Sequence, residues 1–460
     1  MVDTAVILAA GRGSKMWPYG DTCPKAALPI ANRPLIHWQI QALQACGVKR
    51  IVAAAGHLGA QIRHAVGDLL GVECVEQKNP RGTADSLLCG LACVNPDQDR
   101  FLVCYGDVLF TEEDLKRLID AAEQSNQDAA LVQALGTRSS HEWLCANLKG
   151  NAVHEILGHP REASHRLCGV YLLSRKIMPH LANNPGVMQS VEVGAMPPEE
   201  AELAESLSRM IRRGGMVTAV ETQHLFYDLD KPWHLLEANQ SFLHYLGGKL
   251  RQNQIHSKAR IHPEAEIDGY LAAEEGVIVG KGVKIKGNLW VGANTKIIDG
   301  AIIGGDVSIG GESVIREYCR IEGGSSIGSR CVVGHCAEFG GVLMDGAYSY
   351  HYGEYWGIIG RSSDLGAATV CGNLRFDDQR TMQRIQGRRE IPESQGANAV
   401  YLGDYTRTGV NAILMPGVKV GSYSVIGAGV ILNEDVPNHS LIYVKQELIH
   451  STWGPEKYGW

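Results

Sequence analysis

An α/β domain followed by a β-solenoid is the fold class that the sequence predicts, on three observations. The chain has 460 residues, about three times the usual domain length, so we expect more than one domain. The first part alternates aliphatic runs with helical patterns. Glycine then becomes dense, since 31 of the 54 glycines fall between Gly269 and Gly429. We therefore expect domains at 1–250 and 251–446, followed by a tail at 447–460.

The first domain is built from strand and helix repeats. TAVILAA at residues 4–10 is a strand of the buried type, and Asn32 is predicted to cap the helix that Gly47 ends. RFLVCYGD at residues 100–107 is a later strand of the same kind. Apolar strands separated by helices indicate a Rossmann-like domain with a mostly parallel sheet, covered by helices on both faces.

Every sixth residue of the second domain is aliphatic or aromatic. A helix would turn position i+6 about 120° away from position i, so a helix does not explain the series. The period predicts a prism-like coil with three short strands per turn, each placing one apolar side chain inside. After an interruption the count resumes from Leu402 to Leu432. The unbroken series is Val279, Ile285, Val291, Ile297, Ile303, Ile309, Ile315, Ile321, Ile327, Val333 and Phe339.

Composition argues against several functions. The formal charge is −7 and the pI is near 6.2, which argues against nucleic acid as a partner. No apolar run approaches the ~20 residues that cross a bilayer, and the N-terminus lacks the pattern of a signal peptide, so we expect no membrane partner. The twelve cysteines are scattered without a C-x-x-C pair, so we expect reduced thiols in a cytoplasmic protein.

The motif LAAGRGSKMWPYGDTCPKAALPI, which begins at Leu8, predicts a phosphate site. A strand that ends in AAGRG leaves backbone N–H groups free at its carboxyl end, where α/β sheets bind ligands. Small residues let a nucleotide approach this backbone, and turns of this kind wrap phosphate oxygens. The residues placed to surround the nucleotide are Ala9, Ala10, Gly11, Gly13 and Ser14.

Together, GRGSKMWP, the KAALP that follows and the hexapeptide count resemble the bifunctional N-acetylglucosamine-1-phosphate uridylyltransferase/glucosamine-1-phosphate acetyltransferases of the archaeal type. The resemblance covers nearly the whole chain and joins a sugar-1-phosphate nucleotidyltransferase domain to a left-handed parallel β-helix. It implies that Lys15 neutralises the nucleoside triphosphate and the leaving pyrophosphate. It implies that Lys25 contacts the phosphates where the sugar phosphate attacks, and that the protein forms a homotrimer or a dimer of trimers.

The same resemblance assigns the base and the metal. In QKNPRGT, Gln77 and Gly82 would read a pyrimidine base, with UTP favoured and thymidine triphosphate left open. In YGDVLF, Asp107 would hold Mg²⁺. Asp228 would be the second metal carboxylate, chosen over Asp230 because it falls where the family's aspartate precedes the proline.

The implied reaction needs no covalent nucleophile in the protein. An oxygen of the sugar-1-phosphate attacks the α-phosphorus of the nucleotide in line, and pyrophosphate leaves. Catalysis is then positioning and charge neutralisation by Lys15, Lys25 and Mg²⁺.

The sugar pocket departs from the family. Gly158 and His159 stand where the family has glutamate and lysine, and Leu167-Cys168-Gly169 replaces its N-T-G pattern. We therefore expect a different sugar phosphate or weak binding, and the sequence leaves the sugar open.

The interruption of the hexapeptide count raises the question of acetyl transfer. His351 resembles the family's general base towards an amino-sugar phosphate, with acetyl-CoA as co-substrate, and Asn373 falls on its asparagine. The lysines expected at 395–404 are absent. A basic set either holds CoA phosphates or is a solvated charge run, and it comprises Arg384, Arg388 and Arg389. We favour a trimerising or regulatory solenoid over an acetyltransferase.

The sequence thus favours a cytoplasmic, Mg²⁺-dependent enzyme that makes an NDP-sugar from a sugar-1-phosphate and a pyrimidine triphosphate. The alternative is the full bifunctional enzyme. A nucleotide-sensing subunit without activity is a third hypothesis, which the intact set of Lys15, Asp107 and Asp228 disfavours. The tail at 447–460 is expected to fold over the last coil or over a neighbour.

Overall fold

The structure is a computed structural model, which describes residues 2–136, 138–191, 196, 199–454 and 456. We call residues up to 250 the N-terminal domain and residues 251–446 the β-helix. The strands of the N-terminal domain are β1 (Thr4–Ala9), β2 (Pro29–Ile30), β3 (Arg33–Pro34), β4 (Arg50–Ala55), β5 (Val72–Glu76), β6 (Arg100–Tyr105), β7 (Val108–Leu109), β8 (Asp128–Ala134), β9 (Leu144–Lys149), β10 (Ala152–Gly158), β11 (His165–Ser174), β12 (Val217–Glu221) and β13 (Tyr227–Asp228). Its helices are α1 (Leu35–Ala45), α2 (Gly59–Val66), α3 (Thr83–Leu91), α4 (Glu112–Ser125), α5 (Met178–Ala182), α6 (Leu203–Arg212) and α7 (Pro232–Gly247).

Nine of these strands form one sheet, in the order β5-β4-β1-β6-β11-β8-β12-β10-β9. The first four are parallel, whereas β11 runs antiparallel to both β6 and β8, and β9 and β10 form a hairpin. The parallel order therefore describes the half of the sheet that carries the phosphate motif. Ile7 and Leu8 belong to different apolar clusters, because alternate side chains of a strand point to opposite faces. The sheet is thus covered on both faces, as the sequence predicts.

The helix cap predicted at Asn32 is wrong. Helix α1 begins at Leu35, after Pro34. Asn32 has a φ of +63°, outside the extended geometry that a capping residue adopts. Its side-chain amide donates instead to the hydroxyl of Ser308 in the β-helix at 3.0 Å. The side chain that the local sequence assigns to the helix cap therefore makes a contact between the two domains instead.

The β-helix consists of short strands separated by tight turns. From Gln254 to Glu338, adjacent coils pair in parallel with a spacing of eighteen residues, as Ile261 does with Val279, and the spacing falls to sixteen where Ser326 pairs with Val342. Its strands are β14 (Gln254–Ile255), β15 (Arg260–Ile261), β16 (Glu266–Asp268), β17 (Leu271–Ala273), β18 (Ile278–Val279), β19 (Lys284–Lys286), β20 (Leu289–Val291), β21 (Lys296–Ile297), β22 (Ile302–Ile303), β23 (Val307–Ile309), β24 (Val314–Ile315), β25 (Arg320–Ile321), β26 (Ser326–Ile327), β27 (Val332–Val333), β28 (Glu338–Leu343), β29 (Tyr348–Ser349), β30 (Glu354–Ile359), β31 (Asp364–Leu365), β32 (Val370–Cys371), β33 (Gln383–Ile385), β34 (Arg388–Glu390), β35 (Val400–Leu402), β36 (Arg407–Thr408), β37 (Ile413–Leu414), β38 (Lys419–Val420), β39 (Val425–Ile426), β40 (Ile431–Leu432) and β41 (Leu441–Ile442).

The hexapeptide series lies inside this coil. Its residues from Val279 to Phe339 are all buried in one continuous apolar cluster, which confirms the solenoid. One face of the prism is the ten-stranded sheet β15-β18-β21-β24-β27-β29-β31-β36-β39-β41, and a branched sixteen-stranded sheet forms the other two. This is the left-handed parallel β-helix of the predicted fold class.

One face of the prism packs against the N-terminal domain through a mixed apolar cluster. Tyr19 and Trp233 of the N-terminal domain join Ile358 and Tyr401 of the β-helix, and all four side chains are almost completely buried. The hydroxyl of Tyr19 donates to the carbonyl oxygen of Ile358 at 2.9 Å. The two domains therefore share a core as well as a linker.

None of the described helices is long and apolar enough to cross a membrane. In the tail, residues from Glu447 to Trp453 are exposed. The rest of the tail prediction falls in part on residues 455 and 457–460, which lie outside the described residues.

Candidate active site

A cavity of about 880 Å³ opens at the carboxyl ends of β1 and β6. All five residues predicted to surround the nucleotide phosphates line it. Gly13 has a φ of +63°, and a Cβ at this position would lie 2.8 Å from Cγ of Lys25. Glycine at position 13 therefore allows the loop to turn and Lys25 to cross it.

Two lysines and three carboxylates meet on one wall of this cavity. Nζ of Lys25 lies 3.0 Å from Oδ2 of Asp107 and 3.5 Å from Oδ1 of Asp230. Nζ of Lys15 lies 3.0 Å from Oδ2 of Asp230. Asp228 ends β13, which pairs with β7 directly after Asp107, and among the described residues it forms no ion pair. The structure brings the four predicted residues together and adds Asp230, which the sequence analysis passed over, as the partner of both lysines.

The carboxylates of this wall differ in charge. Burial raises the pKa of Asp228 to about 7, and the negative charge of Asp107 contributes to the rise. Burial also opposes ionisation of Asp230, but the charges of Lys25 and Lys15 outweigh it and lower the pKa of that carboxyl. Asp230 is thus an anion held by two lysines, whereas Asp228 forms no ion pair among the described residues, and the charges of Lys25 and Arg166 offset its raised pKa only in part.

The wall fits a divalent cation held by Asp107 and Asp228. Both offer the hard carboxylate oxygens that Mg²⁺ prefers, and the raised pKa of Asp228 shows that burial and the charge of Asp107 oppose its ionisation. Within the described parts of the chain, no three His, Cys, Asp or Glu side chains are close enough to hold a metal by themselves. Phosphate oxygens of the nucleotide would complete the coordination, as is usual for Mg²⁺.

The two residues predicted to read the base, Gln77 and Gly82, lie in different positions relative to the cavity. Gly82 lines the cavity, and a Cβ there would lie 2.6 Å from the backbone nitrogen of Ala201. Gln77 is buried beside the lining, and its Oε1 accepts a hydrogen bond from the hydroxyl of Ser86 at 2.5 Å. Ser86, which the motif did not single out, lines the cavity and fixes the orientation of the Gln77 amide.

The cavity departs from the family pattern at Gly158 for a steric reason. A Cβ at Gly158 would lie 2.8 Å from Cγ of Met188, so the glutamate expected at this position has no room. His159 lines the cavity, and burial lowers its pKa, so the imidazole is neutral at pH 7. The altered Leu167-Cys168-Gly169 also lines the cavity. A neutral ring therefore replaces the expected lysine.

Acidic and aromatic side chains from other segments line the same cavity. The hydroxyl of Thr83 donates to Oε2 of Glu202 at 2.8 Å, while burial raises the pKa of Glu202 to about 7. The guanidinium of Arg166 lies 4.3 Å from the ring centroid of Trp143, which lines the cavity with Glu142. No spacing in the sequence indicates these residues, because they come from segments far apart in the chain.

The two acetyl-transfer candidates lie outside this cavity. His351 is exposed at a corner of the prism, with its ring centroid 4.9 Å from that of Tyr352. Asn373 is exposed on the segment that leaves the prism after Cys371. Neither residue is among those that line the nucleotide cavity. An acetyl-transfer site built on them would be separate from it.

Comparison with known proteins agrees with the division of the chain into an N-terminal domain and a β-helix. The family profile of the MobA-like NTP transferase domain matches residues 5–193. The bifunctional protein GlmU of Methanococcus maripaludis is 30% identical over 456 residues, covering 97% of this chain and 98% of the relative. A bifunctional sugar-1-phosphate nucleotidylyltransferase/acetyltransferase of Sulfurisphaera tokodaii is 27% identical over 439 residues, covering 94% and 98%. The solved UDP-glucose pyrophosphorylase complexed with UDP-glucose aligns with 53% of this chain and 100% of its own, with a TM-score of 0.46 and 17% identity.

The fold and the N-terminal match define the class, a nucleotidyltransferase with an appended hexapeptide-repeat β-helix. The similarity to the Methanococcus protein runs through both domains without a large gap in coverage. The chain therefore belongs to the family of the bifunctional GlmU proteins, and it is a transferase. The resemblance seen in the sequence motifs is confirmed.

The variant Asp228→Asn tests whether the carboxylate of Asp228, which forms no ion pair among the described residues, holds the divalent cation. The pKa of Asp228 rises on folding from its ordinary 3.8 to about 7, so its charge opposes folding above pH 7 and this cost fades as the pH falls towards 4. Without divalent cations at pH 8, we expect D228N to melt about 2 °C or more above the wild type. The difference should narrow towards pH 4, and Mg²⁺ should raise the Tm of the wild type only.

The matched control is Asp230→Asn, whose carboxylate is already paired with two lysines. This variant should melt below the wild type at pH 8. Calorimetric melting curves at several pH values, with and without Mg²⁺, measure both effects. If D228N and the wild type melt together at pH 8 and respond equally to Mg²⁺, the metal assignment is wrong.

Proposed function

We propose that the chain transfers a nucleotidyl group from a pyrimidine nucleoside triphosphate, with UTP as the preferred donor, to a sugar-1-phosphate, giving an NDP-sugar and pyrophosphate. The observation that carries the proposal is the convergence of Lys15, Lys25, Asp107 and Asp228 beside the AAGRG loop. The relative from Sulfurisphaera is named for this class of reaction. The free thiols of all twelve cysteines support a reducing, cytoplasmic location.

The mechanism follows from where the charges lie. Backbone N–H groups from Gly11 to Ser14 would hold the triphosphate, with Lys15 beside its outer phosphates. Lys25, held between Asp107 and Asp230, would bring positive charge to the α-phosphorus, where the sugar-phosphate oxygen attacks in line. Mg²⁺ held by Asp107 and Asp228 would neutralise charge on the phosphates. Pyrophosphate leaves as the new P–O bond forms, without a covalent enzyme intermediate.

The sugar end of the cavity supports a substrate bound differently from the family's. Glu142, Glu200 and Glu202 line the cavity, and carboxyl oxygens accept hydrogen bonds from sugar hydroxyls or from an amino group. A panel of sugar-1-phosphates, including glucose, N-acetylglucosamine and glucosamine 1-phosphates, can be assayed with UTP and with thymidine triphosphate. Pyrophosphate release in this panel names the sugar and the base, and no release with any pair would contradict the proposed function.

Removing any one charged group of the wall should strongly reduce turnover. We expect Lys15→Ala, Lys25→Ala, Asp107→Ala and Asp228→Ala each to cut kcat for nucleotidyl transfer by about a hundredfold or more, because each removes charge stabilisation of the transition state. Pyrophosphate release measures the effect. Lys149→Ala, on an exposed lysine at the end of β9, is the matched control and should turn over normally. Near-normal turnover by the Asp107 variant would refute the metal assignment.

We also propose a homotrimer, or a dimer of trimers, built on the ten-stranded face of the prism. Tyr348, Val425 and Leu441 point outward from this face and are 37%, 37% and 65% exposed in the single chain. Apolar side chains aligned on one face support burial in a symmetric interface. Association through this face would cover them.

Sedimentation tests the assembly. The wild type should sediment as a trimer or hexamer at micromolar concentration, and Leu441→Glu should dissociate it because a charge would enter the interface. Ile431→Glu is the matched control, since Ile431 is 66% exposed but lies in the other sheet. A monomeric wild type would refute the assembly, and dissociation by the control alone would place the interface on another face.

Acetyl transfer in the β-helix is the second candidate function. The name of the Sulfurisphaera relative includes it, and the exposure of His351 beside the break in the hexapeptide count favours it. The absence of lysines from 395–404 opposes it. Nucleotidyl transfer therefore remains the conclusion, with acetyl transfer as the alternative.

An assay for free CoA separates the two functions. Because the sequence lacks the expected lysines, we predict no CoA release above background when the protein receives acetyl-CoA and an amino-sugar 1-phosphate. Release that His351→Ala abolishes, while pyrophosphate release stays at the wild-type rate, would contradict this prediction and show the bifunctional enzyme. Pyrophosphate release is the internal control, because His351 lies outside the nucleotide cavity.

A further inference from the structure

The insertion that interrupts the hexapeptide count forms a hairpin outside the prism. Strands β33 and β34 pair with each other and with no other described strand. Gln386 and Gly387 join them with φ of +48° and +78°, the positive values of a two-residue hairpin turn. The segment described in the sequence as a basic run is therefore an ordered element.

This hairpin is docked on the N-terminal domain at three points. Ile385 is buried in the mixed apolar cluster of the two domains. At the turn, Nε2 of Gln386 donates to the hydroxyl oxygen of Ser14 in the phosphate loop at 2.5 Å. Further on, Oε1 of Glu390 accepts a hydrogen bond from Nζ of Lys231 at 2.5 Å, and this lysine also binds a carboxylate that lines the cavity. The tip of the hairpin thus lies at the phosphate end of the cavity.

The register of the hairpin decides which arginine faces the N-terminal domain. Ile385 is paired with Arg388, and Arg384 is paired with Arg389. Residues directly opposite each other in an antiparallel pair point to the same side. Because Ile385 is buried against the N-terminal domain, Arg388 lies on that side, and Arg384 and Arg389 lie on the other.

The electrostatic surroundings of Arg388 agree with this placement. Burial lowers the pKa of His159, which lines the cavity, and the positive charges of Lys15 and Arg388 lower it further. Among the described residues Arg388 forms no ion pair, whereas Lys15 is paired with Asp230. An arginine without a counter-ion at the phosphate end of a nucleotide cavity is suited to bind phosphate oxygens.

We propose that Arg388 reaches from the β-helix domain into the nucleotidyltransferase site, where it binds the outer phosphates of the nucleoside triphosphate and then the leaving pyrophosphate. This inference rests on the proposed nucleotidyl transfer. In that reaction the bond between the α-phosphorus and the bridging oxygen breaks, and its electron pair stays on the pyrophosphate. Arg388 and Lys15 together neutralise the charge that grows there.

The proposal reassigns the basic run. Of the three arginines considered for CoA phosphates, Arg388 serves the nucleotide instead, while Arg384 and Arg389 are on the solvent side. The β-helix then contributes a phosphate ligand to the site of the other domain. Substitutions in the hairpin should therefore change the first reaction whether or not the second domain transfers acetyl groups.

The reverse reaction tests the contact directly, because its two substrates occupy different ends of the site. With full-length R388A, we expect KM for pyrophosphate to rise about tenfold or more and KM for the NDP-sugar to stay unchanged. R388K should recover part of the loss by keeping the charge. R389A, one residue further along on the opposite side, should match the wild type. Equal KM for pyrophosphate in R388A and R389A would overturn the proposal, as would a rise confined to KM for the NDP-sugar.

Binding of inorganic pyrophosphate by calorimetry, with Mg²⁺ present, adds a readout that does not need turnover. We expect R388A to bind it about tenfold more weakly than R389A. A wild type that binds pyrophosphate but forms no NDP-sugar would contradict the proposed function and leave the Arg388 comparison intact. A wild type that does not bind pyrophosphate would overturn the Arg388 proposal itself. If R388A melts below R389A, the neutral, polar R388Q replaces it in the comparison.

Discussion

The apolar cluster between the two domains is the interaction on which the rest of the molecule depends. Tyr19, Trp233 and Tyr401 are almost completely buried in it, and aromatic side chains of this size contribute about 150–250 Å² each to such a core. Tyr19 follows the phosphate loop directly, so the same packing that joins the domains also holds one side of the cavity. The hairpin enters the cluster through Ile385, so its tip is fixed against Ser14. The β-helix is therefore part of the wall of the nucleotide site.

A shortage of positive charge is the second constraint on this site. Among the described residues, the ion pairs of Asp107 and Asp230 are made with two lysines, Asp230 takes both of them as partners, and Asp228 forms none. Ionising Asp228 in a buried position beside Asp107 is costly, which is what its raised pKa expresses. A divalent cation would reduce that cost and leave the wall with a net positive charge, which would favour the negative triphosphate. The proposed role of Arg388 adds a further positive charge at the outer phosphates.

The sequence predicted those parts of the molecule whose signals are local or strictly periodic. The six-residue count is such a signal, because each turn of the prism needs an apolar side chain inside, and the series from Val279 to Phe339 is buried throughout. The phosphate loop is contiguous in the chain, so its lining residues could be named in advance. Three other features could not be predicted: the role of Asp230, the carboxyl of Glu202 in the cavity and the docking of the hairpin. Each depends on segments that only tertiary packing brings together.

Tertiary packing also explains why the sugar pocket and the basic run depart from the family pattern. Gly158 has no side chain because Met188 fills the space, and carboxyls from a segment ahead of α6 reach the cavity instead. Arg388 is in a segment that a family comparison assigns to the second domain, yet the hairpin places it on the side of the N-terminal domain, where its charge lowers the pKa of His159. A motif shows which residue types recur at a given spacing, whereas the structure of the cavity shows which charged groups lie close together. In this chain the motif and the structure agree for the residues around the triphosphate. They differ for the residues of the sugar pocket and of the domain interface.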